Sequence, residues 1–128
     1  MFPGARIRFA FVASLFFLCI SATTALADKA SVTISAPESV AKGTEVTIKI
    51  QVTHSGNNFF HHIDWAKIGV DGKEVARWDF TWTKRAESKI FEREFKYVVN
   101  APVEISAEAD CNIHGSKGPA KAAIKVTE

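Results

Sequence analysis

The sequence predicts an all-β fold, and three observations support this prediction. Apolar and polar residues alternate along several segments, a period of two that is typical of strands with one buried face. Turn-forming residues separate these segments at short intervals, and no segment has the pattern of a helix of useful length. About seven short strands arranged in this way favour an antiparallel β-sandwich with an immunoglobulin-like layout.

The strands of the first half end at recognisable turns. Ser31 to Ala36 alternates weakly and stops at Pro37, whereas Thr44 to Thr53 alternates strictly, with four β-branched residues on its apolar face. Ile63 to Val70 is apolar and rich in β-forming residues, and Asp71-Gly72 follows it. Such a pair favours a type I′ hairpin turn, because both central residues of that turn need positive φ.

The second half of the chain repeats this alternation of strands and turns. Its loops are predicted at the polar stretch from Thr81 to Ser88, at Asn100-Ala101-Pro102 and at Gly115 to Pro119. Its strands are marked by apolar residues of one parity or by short apolar runs: Val75, Trp78 and Phe80; Phe91, Phe95, Tyr97 and Val99; Val103, Ile105, Ala107 and Ala109; Ala120, Ala122, Ile124 and Val126.

Residues 1–27 precede this domain and have the pattern of a secretory signal peptide. Two arginines lead an apolar run from Ile7 to Ile20, and small residues end at Ala27. The run is shorter than the roughly 20 residues that a transmembrane helix needs. We therefore expect cleavage after Ala27, a mature domain of residues 28–128 and no membrane anchor after cleavage. The protein would be exported, and periplasmic if its host is a Gram-negative bacterium.

Charge and cysteine content narrow the functional classes. Arg6 and Arg8 are two of the 16 basic residues, and all 14 acidic residues follow residue 27, so the mature chain has a formal net charge of zero. A nucleic-acid-binding protein would need a basic stripe, and none is evident. Cys19 is lost with the signal peptide, so Cys111 has no internal disulfide partner. A lone thiol in an exported protein indicates a bond to a partner, a reactive thiol or a metal ligand.

The histidines indicate a metal site. All four fall in two short segments, and the second segment also contains Cys111. His54 continues the buried face of the strand that ends at Thr53, and Cys111 continues the buried face of the strand from Val103. Each strand therefore delivers a metal-ligating side chain inward at its end. Taken singly, a histidine at a strand end is more often a surface or hydrogen-bonded residue, and a buried cysteine a small hydrophobe.

Two more histidines complete the candidate site. The C-x2-H spacing of Cys111 and His114 lets a thiolate and an imidazole reach one ion, and Gly115 relieves backbone crowding in that turn. The loop after His54 can fold His61 onto the same site. His62 has the opposite parity and is an additional candidate. We found no arrangement typical of a Ser/His/Asp triad, a phosphate-binding loop or a pair of catalytic carboxylates.

Two motifs resemble a known family. His61-His62-Ile63-Asp64-Trp65, with His54 upstream, resembles the H-x5-H-Y-I-E-W segment of the desulfoferrodoxin/neelaredoxin family, the superoxide reductases. Cys111-Asn112-Ile113-His114-Gly115 resembles the C-N-x-H-G segment of that family. The likeness covers roughly Gly43 to Val126. It implies an immunoglobulin-like sandwich with one non-haem iron, bound in the family by four equatorial imidazoles and an axial thiolate.

Carried over residue by residue, the resemblance assigns His54, His61 and His114 as imidazole ligands and Cys111 as the thiolate. It implies reduction of superoxide to peroxide at ferrous iron, with an external electron donor. Lys117 follows His114 and is a candidate for attracting the anion. Two departures are clear. The loop is H-x6-H, one residue longer than in the family, and no histidine precedes His54, whereas the family has an upstream E-K-H-V-P segment.

Two other functions remain open at this point. Three imidazoles and a thiolate can close around zinc, which would make the domain a non-catalytic metal-binding module with zinc or iron. An exported sandwich with C-x2-H near its end also fits a cupredoxin-like electron carrier with copper, although Met1 is the only methionine and no axial methionine would remain. The oligomeric state, including a homo-oligomer, is also left open by the sequence.

Overall fold

A computed structural model describes residues 29–128 and shows an all-β domain. The predicted signal peptide and its cleavage point after Ala27 lie outside the described residues. The eight strands are β1 Ser31–Ser35, β2 Ser39–Ala41, β3 Thr44–Thr53, β4 Ile63–Val70, β5 Lys73–Asp79, β6 Ile90–Val99, β7 Val103–Cys111 and β8 Ala120–Thr127. Within residues 29–128, no helix is long and apolar enough to cross a membrane.

The strands form two sheets. One has three strands in the order β1-β3-β6, and the other has five in the order β2-β8-β7-β4-β5. All pairings are antiparallel except the one between β2 and β8, which is parallel. The predicted sandwich is therefore confirmed, with one strand more than the seven expected. The extra strand β2 has three residues, too few for an alternating pattern to be visible in the sequence.

The core lies between the inner faces of the two sheets. The alternation predicted for β3 is present, since its apolar residues are buried and the intervening residues are mostly exposed. On the other sheet, β7 follows the same pattern from Val103 to Cys111. The largest side chains that are fully buried are Ile48, Ile50, Ile68, Ile105 and Ile124. Removing each from water contributes roughly 2 kcal/mol to folding.

One hairpin turn and two backbone contacts determine which strands lie side by side near the histidines. Asp71 and Gly72 have φ values of 50° and 81°, as a type I′ turn between β4 and β5 requires. Ile63 pairs with Cys111, so the beginning of β4 lies beside the end of β7. The backbone N–H of His54 donates to the carbonyl of Lys89 at 2.8 Å, which places the end of β3 beside the beginning of β6. One end of the sandwich therefore gathers the segments that carry all four histidines.

Candidate metal centre

His54 is fixed by the loop that follows it. Its side chain is 4% exposed, and its Nδ1 lies 2.6 Å from the carbonyl oxygen of Gly56. A carbonyl oxygen can only accept a hydrogen bond, so Nδ1 is the donor, and Nε2 is the nitrogen of the neutral ring that could bind a metal. A backbone carbonyl that holds the far nitrogen is the usual way in which proteins orient a metal-binding imidazole.

Cys111 and His114 lie at the two ends of one short turn. The backbone N–H of Cys111 donates to the Gly115 carbonyl at 3.0 Å, and the Gly115 N–H donates to the Cys111 carbonyl at 3.1 Å. Gly115 has a φ of 77°, a left-handed conformation that glycine adopts at little cost. The thiol of Cys111 is buried, and the backbone N–H of His114 points to its Sγ at 3.5 Å.

The loop from Ser55 to His61 brings the third imidazole to this turn. Asn58 shapes the loop, because its Oδ1 accepts hydrogen bonds from the backbone N–H groups of Phe60 and His61, both at 2.9 Å. Its own N–H donates to the His61 carbonyl at 2.9 Å. Gly56 lies directly under the His61 ring. A Cβ at Gly56 would be 2.8 Å from Cγ and 3.0 Å from Cε1 of that ring.

Three of the four predicted ligands form one group at the end of the sandwich, and the fourth, His114, contacts two of them. The ligand atoms of His54, His61 and Cys111 all lie within 4.8 Å of one another. Nδ1 of His114 is 3.1 Å from Nε2 of His61 and 3.9 Å from Sγ of Cys111. The His61 ring makes edge-on contacts with the rings of His54 and His114, at centroid distances of 4.5 and 4.8 Å.

These separations fit a single ion. Two nitrogen atoms that are each bonded to one ion at about 2.0–2.1 Å lie roughly 3.0–3.4 Å apart, and a sulfur at about 2.3 Å lies somewhat farther from them. The separations from His114 to His61 and to Cys111 are 3.1 and 3.9 Å. Imidazole and thiolate donors suit iron, zinc and copper rather than magnesium or calcium. The residues present therefore form a plausible donor set for a transition metal.

Asn112 joins the two segments that carry the ligands. Its Oδ1 accepts from the His62 N–H at 3.0 Å, and its Nδ2 donates to the Phe60 carbonyl at 3.0 Å. Its backbone N–H also donates to the His62 carbonyl at 3.1 Å. The asparagine therefore holds the segment before β4 against the turn after β7. In the sequence, Asn112 stands out only as part of the segment that resembles C-N-x-H-G and as a residue that favours loops.

The two weaker candidates are placed differently. His62 is 6% exposed, and its Nδ1 has no hydrogen-bond partner among the described residues. It is not part of the group formed by His54, His61 and Cys111. The backbone N–H of Lys117 donates to the Ala30 carbonyl at 2.9 Å, while the residue itself is exposed on the loop after His114.

Acidic groups lie on the outer side of the five-stranded sheet, behind the turn. Burial raises the pKa of Asp110 above its usual range, and the nearby charges of Asp64 and Glu108 raise it further. The site therefore has a negative region behind Cys111. Lys117 and the basic residues of the loop before β6, Lys84, Arg85 and Lys89, are exposed.

Comparison with known proteins agrees with this geometry. The sequence profile of the Desulfoferrodoxin family matches residues 22–116. The chain belongs to the desulfoferrodoxin family. The match spans both segments that carry the histidines and Cys111, and it confirms the resemblance that the two motifs predict. No curated protein sequence matches this desulfoferrodoxin chain.

Solved structures show the same fold. A neelaredoxin superoxide reductase from Ignicoccus hospitalis is similar with a TM-score of 0.63 and 22% identity, over 76% of this chain and 80% of that chain. A Thermotoga maritima protein, described provisionally as a superoxide reductase, has a TM-score of 0.58 and 28% identity, over 76% and 86%. Fibronectin(III)-like modules of Clostridium thermocellum CbhA have a TM-score of 0.51 and 25% identity, over 76% and 97%. This desulfoferrodoxin domain is thus an immunoglobulin-like sandwich.

Proposed function

We propose that this desulfoferrodoxin chain is an exported mononuclear non-haem iron protein that reduces superoxide to peroxide. The convergence of three imidazoles and one thiol at the end of the sandwich carries the proposal, with Nδ1 of His114 3.1 Å from Nε2 of His61 and 3.9 Å from Sγ of Cys111. Family membership supports iron as the metal. His54, His61, His114 and Cys111 would hold it.

The buried and the exposed ligands would have different roles in the reaction. Bound ferrous iron would supply the single electron that, together with two protons, converts superoxide to hydrogen peroxide. The Cys111 thiolate would donate electron density to the metal, as thiolates do in haem enzymes. Cys111 and His54 are 2% and 4% exposed, so they shield the inner side of the site from water. His61 is half-buried and His114 is exposed, so a small anion would enter from their side.

Lys117 would assist that entry. It lies three residues beyond His114, is exposed, and forms no ion pair among residues 29–128. A free ammonium group near the mouth of a site attracts anions and raises their local concentration. Replacement of Lys117 by Glu should therefore slow the reaction with superoxide most at low ionic strength, without changing the metal content.

Metal analysis tests the ligand assignment. Purified mature protein should contain one iron, and its oxidised form should show a visible thiolate-to-iron charge-transfer band. Cys111→Ser should abolish the band and lower the iron content. His62→Tyr is the matched control, since it removes a buried imidazole that we do not assign as a ligand. Full iron occupancy and an unchanged spectrum in Cys111→Ser would refute the assignment.

Rapid mixing with superoxide tests the activity. Iron-loaded protein, reduced beforehand with a chemical reductant, should consume superoxide faster than the same protein loaded with zinc. The zinc form keeps the fold and the charges of the site but cannot transfer an electron. Equal rates for the two forms would show that the protein is a metal-binding module without this activity.

Zinc binding without catalysis is the second candidate. One observation favours it: the chain has no histidine before His54, so three imidazoles and one thiolate make up the donor set, which matches a closed structural zinc site. Metal analysis separates the two candidates, because a zinc protein is colourless and keeps zinc when it is purified from iron-rich medium.

Export is a separate part of the proposal. It is supported only by the signal-peptide pattern of residues 1–27. Fractionation of cells that express the full chain should recover the mature protein outside the cytoplasm, with Asp28 as its first residue. An N-terminus at Met1 in the recovered protein would contradict export by cleavage.

A further inference from the structure

An exposed aromatic patch borders the candidate metal centre. Phe59, Phe60 and Trp82 are 51%, 75% and 52% exposed, and we call these three residues the aromatic patch. The Phe59 ring contacts both other rings edge-on, at centroid distances of 4.9 Å to Phe60 and 4.5 Å to Trp82. With about 200 Å² for each aromatic side chain, the patch exposes on the order of 350 Å². Exposed apolar patches of this size are often functional.

The aromatic patch is continuous with the proposed ligands. Phe60 directly precedes His61, and its carbonyl accepts a hydrogen bond from Asn112 beside Cys111. Ile113, which is 58% exposed, directly precedes His114 on the adjoining turn. A molecule that covers the patch would therefore lie against the exposed side of the site.

The patch is held in place rather than left mobile. Asn58 fixes the backbone of Phe60, and Nδ2 of Asn57 donates to the Ala86 carbonyl at 2.9 Å. The second bond ties the loop of Phe59 and Phe60 to the loop that carries Trp82. A surface that is already ordered loses little entropy on binding, which favours recognition.

The charges beside the patch favour an acidic partner. Nη1 of Arg85 donates to the Trp82 carbonyl at 2.6 Å, and Lys84 lies in the same turn. Neither residue forms an ion pair within the part of the chain that the structure describes. The acidic residue of this loop, Glu87, is already paired with Arg93. Two unpaired cations therefore flank the aromatic patch.

A second copy of the chain fits this surface less well. In a two-fold symmetric dimer, the same surface of both copies is in contact. Lys84 and Arg85 of one copy would then lie close to positive charges of the other copy. A stable interface also buries about 800 Å² on each partner, more than twice the exposed area of the aromatic patch. Small interfaces are typical of transient electron-transfer encounters.

We propose that the aromatic patch, with Lys84 and Arg85, is the docking surface for a small acidic protein that delivers one electron to the metal centre. This inference rests on the proposed function, which calls for an external reductant because Cys111 is the only thiol in residues 29–128, too few for an additional iron–sulfur centre there. In the encounter the carrier would lose one electron, the iron held by the site would gain it, and no atom would be transferred. The carrier is expected to have an apolar contact face bordered by carboxylates.

Binding is measured first, independently of activity. Calorimetry uses the full mature protein with the metal it retains on purification, titrated with oxidised plant-type ferredoxin or flavodoxin, which are both acidic one-electron carriers. At least one carrier should bind saturably at low ionic strength and more weakly at high ionic strength. Phe60→Ser and the pair Lys84→Glu and Arg85→Glu should each weaken binding at least about tenfold. Val98→Ser, which changes a 46% exposed residue at the far end of β6, is the matched control and should bind like the wild type.

Electron transfer is measured next, by stopped flow on the oxidised iron form. The patch variants should be reduced at least about tenfold more slowly by the reduced carrier, but as fast as wild type by ascorbate. The reaction of Phe60→Ser with superoxide after chemical reduction should not change, because this variant alters no charge. A failure of the superoxide reaction alone therefore counts against the proposed function and not against docking.

Three results would overturn the docking proposal. One is the absence of saturable binding to both carriers. Another is equal binding by the wild type and the patch variants. The last is a wild-type dimer in sedimentation that Phe60→Ser converts to a monomer, which would show that a second copy covers the patch.

Discussion

Replacement of Gly56 by alanine should damage the metal centre without unfolding the protein. The added Cβ would lie 2.8 Å from Cγ and 3.0 Å from Cε1 of His61, whereas ordinary carbon contacts are about 3.5–4.0 Å. The imidazole must therefore move by roughly 0.7 Å or more. Metal–nitrogen distances tolerate about 0.2 Å, so His61 cannot keep its place in the donor set.

The fold should survive this substitution. Gly56 does not have a positive φ, so alanine fits its backbone. His61 is only half-buried, and its ring can turn toward solvent. We expect metal affinity to fall at least about 10–100-fold, while the unfolding free energy of the metal-free protein changes by no more than about 1 kcal/mol. A competition titration with a metal chelator and urea denaturation measure the two quantities.

Two comparisons make the Gly56 experiment decisive. Gly69→Ala crowds a different side chain, since its Cβ would lie 2.6 Å from Oγ of Ser106 on the outer face of the large sheet. It should leave metal affinity unchanged. In a His61→Ala background, Gly56→Ala should have no further effect on metal affinity. Wild-type affinity in Gly56→Ala, or an equal loss with and without His61, would refute the reasoning.

Three further predictions concern the surroundings of the site and the loop before β6. Asn112→Ala removes three side-chain hydrogen bonds, one of them from Sγ of Cys111, so it should cost about 1–2 kcal/mol in urea denaturation and about tenfold in metal affinity; an unchanged affinity would contradict its role. Gly115→Ala should cost about 1–2 kcal/mol because its φ is 77°, as measured by thermal unfolding against the wild type. Glu87 bonds Arg93 at 2.8 and 2.9 Å, and this lowers its pKa below the usual 4.5. The carboxylate therefore stabilises the fold above about pH 5 by at most about 1 kcal/mol, and this is lost as the pH falls through the lowered pKa. In urea denaturation, the stability difference between the wild type and Glu87→Gln should be largest above about pH 5 and should shrink steadily as the pH is lowered below that.

Alternating apolar patterns predicted most of the fold. β3 and β4 have the bounds expected from the sequence, and the inward parity of His54 and Cys111 is present in the structure. These features are local, because a period of two assigns each side chain to a face. The strand β2 was missed because Ser39–Ala41 is stabilised by its pairing with β8, at the other end of the chain.

The details of the site depend on contacts between residues far apart in the chain, which local sequence patterns cannot predict. β3 and β7 belong to different sheets, so the sequence could not show that His54 and Cys111 lie at the same end. The hydrogen bonds of Asn112 join residues about fifty positions apart. The crowding of Gly56 against His61 appears only when the loop is folded. Spacing and residue type therefore predicted the candidate ligands but not the groups that orient them.

The origin of the ligands in two sheets has a thermodynamic consequence. His54 directly follows a strand of the small sheet and Cys111 ends a strand of the large one, so a bound ion would act as a reversible cross-link between the two layers. Its binding free energy would add to the cohesion of the domain, by about 4 kcal/mol when free metal exceeds the dissociation constant a thousandfold. In metal-poor surroundings the layers would separate more readily at this end, so that metal supply would govern the lifetime of the folded chain as well as its chemistry.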